Sequence, residues 1–346
     1  MKPAETARQQ LAKKTPPEPE PTEHDWVSTG MTLIDLGVSG VIGHGICKGH
    51  VVRMIGPQSS GKTVLGFSIM AEAARNRDFD GYDFVHDDSE QKTDKFDIGK
   101  FYGEDLASRV IPPARYKKNG LPAYSRTVGE FLERLEARLA AGRSLIWIED
   151  SLDALQPDTA PTKMTDGKAK AYSQGLRKVR ALLSETGSIL ILMSQVRQNL
   201  GSIYGGFTAT GGIALEHYAT LEFWLRKSRR IFRAYKGKKF PVGHAILCHI
   251  KKNHVNGQDR TAFFPFYPDY GLDDVGSCID FLVNVQHWPR TKGIITARDL
   301  NNVALSRDQL IRYVEDGKLD RLKHVTGQVW AKVMRALVLE RKPKYR

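Results

Sequence analysis

At 346 residues the chain is longer than a single hydrophobic core usually serves, so one large domain with appendages, or two domains, is expected. Hydrophobic residues make up 41% and charged residues 26%, which excludes global disorder, and no apolar run nears the ~18 residues of a membrane span. Fifty-two Lys and Arg against 39 Asp and Glu leave a net charge of +13, which suggests a polyanionic partner, nucleic acid first.

Residues 4–14 have the composition of a short helix, and Thr15–Thr22 (TPPEPEPT) reads as a stiff proline linker, so residues 1–25 are expected to form an arm joined to a body. From Trp26 to Tyr270 short apolar runs alternate with helical periodicity. Strands are expected at Val51–Ile55, Tyr82–Asp87, Leu145–Glu149 and Ser188–Ser194, with helices at Lys62–Arg75, Val128–Ala141 and Ala169–Glu185. This alternation predicts an α/β fold with a mostly parallel central sheet covered on both faces. Beyond Ala219 the helices stop: Leu221–Leu225, Arg230–Tyr235, Ala245–Ile250 and Ala262–Tyr267 read as an antiparallel extension of that sheet. Residues 271–346, with helical patterns at Asp308–Glu315 and Gln328–Leu339, are expected to form a small separate C-terminal domain, helical or α/β. Three scattered cysteines (Cys47, Cys248, Cys278) and an N-terminus without an apolar segment point to a reducing, cytoplasmic setting.

Gly56-Pro57-Gln58-Ser59-Ser60-Gly61-Lys62-Thr63 fits G-x-x-x-x-G-K-[ST], and it follows a strand and opens a helix. Glycines allow the loop to wrap so that backbone N–H groups point at a phosphate, a lysine reaches the β and γ oxygens, and a hydroxyl ligates Mg²⁺. ATP and Mg²⁺ are therefore the expected cofactors. A metal-holding acid is needed at a neighbouring strand end, and Asp150 is placed for that. Asp87, Asp88 and Glu90 follow the Tyr82 strand on the edge where open α/β sheets bind ligands, where a solvated acidic turn is an equal alternative. Between Gln195 and Gly212 the chain is glycine-rich, with Leu200, Ile203, Tyr204 and Phe207 as bulky apolar residues, a composition suited to gripping phosphates and stacking on bases.

Together with Ser28-Thr29-Gly30, Leu33, Asp35, Asp150-Ser151, Ser173-Gln174-Gly175-Leu176-Arg177-Lys178, Ser194-Gln195-Val196-Arg197 and Thr210-Gly211-Gly212-Ile213-Ala214-Leu215, these motifs follow the order and spacing of the bacterial RecA recombinases. The chain resembles divergent, phage-type members over roughly Trp26–Tyr270. The resemblance implies a RecA-like ATPase core at 26–270 and an arm at 1–25 that docks on a neighbouring subunit. It implies that Lys62 and Thr63 bind the triphosphate and Mg²⁺, with Asp150 as the second metal acid. Glu90 would position and activate water, with Asp88 as the alternative if the register slips by two. Gln195 would sense the γ-phosphate and lead into a DNA loop at 196–211, in which Arg197, Asn199, Gly211 and Gly212 meet the DNA backbone and Leu200 wedges between bases. A second loop near 158–170 would carry Met164 as its wedge. Lys252 matches the first of two cations that reach a neighbour's γ-phosphate. His254 stands where the family has the second, which puts that activation in doubt because neutral histidine carries no charge.

The implied function is an ATP-dependent recombinase that forms head-to-tail helical filaments on single-stranded DNA, then pairs it with duplex DNA and exchanges strands. The alternative is a DNA-dependent ATPase of the same fold acting as a ring motor, helicase-like protein or mediator. The expected setting is the cytoplasm of a bacterial or phage-infected cell, with no membrane partner. Between Arg226 and Arg260 stand eleven Lys and Arg against one acid, Asp259, so the charge excess is local. Phe101 and Tyr102 are candidates for stacking on adenine because they follow the acidic turn.

Overall fold

In the computed structural model, residues 20–92, 97–113, 124–158, 166–199, 206–209 and 212–341 are described. In chain order the core elements are β1 (Trp26–Val27), α1 (Thr32–Ser39), β2 (Ile46–Cys47), β3 (Val51–Ile55), α2 (Lys62–Ala74), β4 (Asp83–Asp87), α3 (Ile98–Tyr102), α4 (Glu104–Arg109) and β5 (Val110–Ile111). There follow α5 (Val128–Ala140), β6 (Leu145–Glu149), α6 (Asp166–Glu185), β7 (Ile189–Ser194), β8 (Val196–Asn199), β9 (Gly206–Ala209) and α7 (Gly212–Tyr218). The long strands β10 (Leu221–Tyr235) and β11 (Lys238–Asn253), then β12 (Arg260–Tyr267) and β13 (Gly271–Leu272), complete the core.

Among the described residues one nine-stranded sheet runs β13-β12-β11-β10-β3-β7-β6-β4-β5. The stretch from β10 to β5 is parallel, and β11, β12 and β13 add to it antiparallel. The parallel strands are buried on both faces, which is why β6 and β7 read as near-continuous apolar runs rather than alternating ones, and β3 does so apart from Arg53. One face packs with α1 and α2 around Met54, Phe67, Ile148, Met193 and Phe223. The other carries α5 and α6 around Trp147, Phe131, Leu135, Tyr172 and Leu190.

Local chemistry explains the elements. Thr127 caps α5, its hydroxyl accepting from the Glu130 N–H at 3.2 Å, and the stripe Phe131, Leu135, Leu139 is buried against the sheet. α1 escapes a periodicity search because seven of its eight residues, Thr32–Val38, are buried, so it has no polar face. Its buried Asp35 accepts from the Ser28 hydroxyl (2.6 Å) and from the Thr29 N–H (2.9 Å) and hydroxyl (2.6 Å). Burial pushes that carboxyl up to about 7, although the Ser28 and Thr29 donors favour its charged form. The Ser-Thr-Gly motif is thus a brace for α1, not part of a ligand site.

Several expectations change. The runs Leu221–Leu225 and Arg230–Tyr235 are one strand, interrupted by irregularities between Lys227 and Arg230 and between Ile231 and Phe232. Residues 196–211, expected to be a loop without regular structure, hold an antiparallel ribbon of β8 and β9 with Val196 opposite Ala209 and Asn199 opposite Gly206. Of the second expected loop, 158–170, the end from Asp166 belongs to α6.

The C-terminal region, expected to be helical or α/β, is α/β. Beyond α8 (Asp274–Asn284) it has a small sheet of β14 (Arg290–Thr291), β15 (Ile294–Ala297) and β16 (Val303–Ser306), then α9 (Arg307–Glu315) and α10 (Leu319–Ala336). It has its own core, with Trp288, Ile279, Leu310 and Leu322 at its centre. α10 starts nine residues before the expected Gln328. Asp274 ties this region to the ATPase core by accepting from the Thr32 N–H (2.7 Å) and hydroxyl (2.8 Å).

Candidate active site

The C-terminal edge of the parallel strands holds a cleft of about 360 Å³ lined by Gln58–Val64, Asp88, Glu90, Lys92, Asp150 and Gln195. The expected phosphate loop, acidic turn, strand-end acid and Gln195 therefore converge on one cavity. The loop needs its glycines. A Cβ on Gly56 would stand 2.3 Å from the Leu225 carbonyl oxygen, and Gly61 has φ +95° at the N-cap of α2.

Lys62 is 8% exposed, and its ammonium donates to the Gly56 carbonyl at 2.8 Å and to that of Pro57 at 3.1 Å. Burial lowers its pKa, against the pull of Asp150 and Glu90. A buried cation hydrogen-bonded to carbonyl groups and flanked by a loop of N–H groups is a site that favours an anion. The Thr63 hydroxyl donates to Asp150 Oδ2 at 2.6 Å, and His86 Nε2 lies 4.0 Å from the same oxygen. Burial acts to raise the Asp150 pKa, but His86 and Thr63 outweigh it and the carboxyl stays below its ordinary range. The hydroxyl and the acid are thus adjacent hard oxygen donors, the chemistry that Mg²⁺ takes.

Glu90 is the junction of the site. Its Oε1 accepts from the Ser151 hydroxyl and the Gln195 side-chain amide, both at 2.8 Å, and its Oε2 pairs with the Lys92 ammonium. Burial alone would raise the Glu90 pKa, but the three donors, Lys92 first, bring it below the ordinary value. The Gln195 backbone N–H is fixed by Asp153 Oδ2 at 2.7 Å, one residue before the β8–β9 ribbon starts. Asp88 also lines the cavity, buried at 1% exposure. Asp87, the third acid of that turn, does not face it. Its carboxylate accepts from the Ser125 N–H (2.8 Å) and hydroxyl (2.6 Å) and lies opposite Glu149 on the neighbouring strand. Burial, then the Asp87 charge, pushes the Glu149 pKa well above the ordinary carboxylate value.

Lys252 and His254 are nowhere near this cleft. Leu221 pairs with both Val52 and Asn253, so the end of β11 lies at the N-terminal edge of the parallel strands, opposite the phosphate loop. Lys252 donates to the Glu216 carbonyl, and His254 is exposed. Desolvation, then Lys252 and Arg180, keep His254 below its ordinary pKa, so it is neutral at pH 7 within its own chain. Arg197 and Asn199 lie on β8 and Gly212 begins α7. Met164, Leu200 and Gly211 fall outside the described residues, as does most of the N-terminal arm.

Sequence reasoning missed Lys227, His244, Ile246 and Phe266, which line the same cleft from β10, β11 and β12. Nothing local marks them, since only the pairing of the extension beside β3 brings them there. It also left out Lys92, two residues beyond Glu90. Tyr102 is not free to stack on a ligand without rearrangement: its hydroxyl donates to the Val64 carbonyl at 2.6 Å and its ring packs against the core beside Phe67.

Comparison with known proteins agrees with this geometry. The family model for the RecA N-terminal domain matches residues 123–272. Protein RecA of Gloeothece citriformis (strain PCC 7424) is 28% identical over 313 residues, spanning 89% of this chain and 81% of that protein. Protein RecA of Nostoc punctiforme (strain ATCC 29133 / PCC 73102) is 29% identical over 296 residues, covering 84% and 76%. That of Mesoplasma florum (strain ATCC 33453 / NBRC 100688 / NCTC 11704 / L1) is 28% identical over 269 residues, covering 76% and 74%. With a phosphate loop, a strand-end acid and a glutamine-tipped strand on one sheet edge, the chain is distantly similar to RecA proteins along most of its length.

Proposed function

We propose that the chain is an ATP-dependent recombinase that assembles head-to-tail on single-stranded DNA, pairs it with duplex DNA and exchanges strands. The observation that carries this reading is the hydrogen bond from Gln195 to Glu90. One contact links the carboxylate placed to activate water to the root of the ribbon placed to grip DNA. A change at either end is then felt at the other, which is the requirement for coupling hydrolysis to DNA binding.

In this mechanism Lys62 and the loop N–H groups cradle the β- and γ-phosphates. Thr63 and Asp150 would hold Mg²⁺, which when bound supplies positive charge at the phosphate oxygens. Glu90 orients a water for in-line attack and accepts its proton, and Gln195 holds the carboxylate in that orientation. The cations at Lys252, on the far edge of the sheet, reach a phosphate only if it belongs to the next subunit, which fits an open heterologous assembly. His254, uncharged at neutral pH, contributes less there than a lysine.

The deciding measurement is the ATPase rate with and without single-stranded DNA, together with electron micrographs. We expect stimulation by DNA and extended helical particles. No stimulation would remove the coupling, and closed rings would favour a motor of the same fold.

The β10–β11 hairpin supplies a second test. Beyond Leu225 it leaves the core and presents Arg229, Arg230 and Lys238 to solvent alongside Phe232, Tyr235 and Phe240, which are 50%, 66% and 49% exposed. Basic residues interleaved with aromatics suit a nucleic-acid strand. Replacing Arg229, Arg230 and Lys238 with alanine should reduce the log–log salt slope of DNA binding by about one unit per lost phosphate contact. An unchanged slope would make the hairpin a solvated face.

A further inference from the structure

The feature that the proposed mechanism leaves unused is Lys92. It follows the acidic turn, lines the cleft with Lys62 and Thr63, and pairs with Glu90 Oε2, while the other oxygen of Glu90 is taken by Ser151 and Gln195. Its ammonium lies within electrostatic reach of Glu90, Asp150 and Asp88 and is felt in turn by Lys62. It therefore stands at the end of the cleft where the metal-holding pair and the water-activating carboxylate meet.

Two properties of the contact bear on its role. A carboxylate whose two oxygens carry three donors has little capacity left to take a proton from water. The Lys92 side chain is also 54% exposed, and ion pairs that open to solvent are weak and readily exchanged. A terminal phosphate carries more negative charge than a carboxylate and offers more acceptor oxygens, so it competes well for a flexible ammonium. The exchange has a chemical consequence, because the donor lost from Glu90 Oε2 is the one that opens an acceptor site for water.

We propose that Lys92 is a second phosphate-binding cation, supplied from within the same chain, that passes from Glu90 to the terminal phosphate of a bound triphosphate. Recognition of that phosphate and release of the base are then one event. A diphosphate, which ends short of this part of the cleft, leaves Lys92 on Glu90. The inference rests on the nucleotide-binding role proposed above for the same cleft.

The test compares the affinity of a non-hydrolysable ATP analogue with that of ADP, both with Mg²⁺, in the parent chain, Lys92→Ala and Lys92→Arg. Lys92 is exposed and outside the core, so folding should be unaffected. Lys92→Ala is expected to weaken the ATP analogue about tenfold and ADP less than twofold, with Lys92→Arg recovering most of the loss. An unchanged preference for the triphosphate in Lys92→Ala overturns the role of Lys92 while leaving nucleotide binding intact. Failure of the parent chain to bind either nucleotide overturns the reading of the cleft itself, and this inference with it.

Discussion

Glu90→Gln should reduce DNA-stimulated ATP turnover by about 10²–10⁴-fold, the usual contribution of a positioned general base, while nucleotide-dependent DNA binding persists. The substitution removes the proton acceptor but leaves Lys62, Thr63 and the loop N–H groups that hold the triphosphate. An amide also keeps an oxygen for the Ser151 hydroxyl, now 2.8 Å from Glu90. The partner experiment is Asp88→Asn, since both acids line the cleft. Single-turnover hydrolysis measured on both variants separates them. If Asp88→Asn suffers the larger loss, the water activator is Asp88 and the Gln195 contact positions a bystander.

Glu222→Ala should lower folding stability by about 3–5 kcal/mol, the typical cost of stripping one partner from a buried ion pair. Arg53 on β3 and Glu222 on β10 stand opposite each other in the sheet, their side chains 4% and 2% exposed and 2.7 Å apart. Losing the carboxylate leaves the Arg53 guanidinium buried in the sheet without its Glu222 partner. The double variant Arg53→Met, Glu222→Leu should recover most of the loss, because an apolar pair of similar volume avoids the desolvation cost altogether. Denaturant unfolding with a common m-value reads both effects. A Glu222→Ala chain within about 1 kcal/mol of the parent would show that the pair is not holding the two strands together.

What could be read in the sequence was chemistry that is local along the chain. The phosphate loop is one contiguous segment, and its glycines, lysine and threonine need only the strand before and the helix after. Asp150 and Gln195 were legible because each ends an apolar strand, and parallel strands deliver their C-terminal ends to one edge. What could not be read depends on pairing across distance. Lys227 and His244 face the cleft because β10 lies beside β3, and no spacing within β10 or β11 announces that. The β8–β9 ribbon was hidden by its glycines, which suit a loop and a ribbon turn equally. The first half of α10 was legible but not read: Leu322, Val325 and Val329 recur at i, i+3 and i+7, a helical apolar stripe that continues into the expected segment from Gln328. Asp87 shows the opposite failure. Its neighbours in sequence face the cleft, but strand alternation turns it into the sheet against Glu149.

The separation of the phosphate loop from Lys252 across the full length of the parallel strands gives the molecule a head and a tail. If such units join head to tail as proposed above, the string has unlike ends: the last phosphate cleft at one end meets no incoming cation, and the last cation at the other meets no cleft. In that assembly the complete reaction centres would be junctions rather than subunits, one fewer than the copies in the string. Very short strings are penalised most, a pair having half as many centres as copies, while long ones approach one each. Growth and catalytic competence become properties of the same boundary.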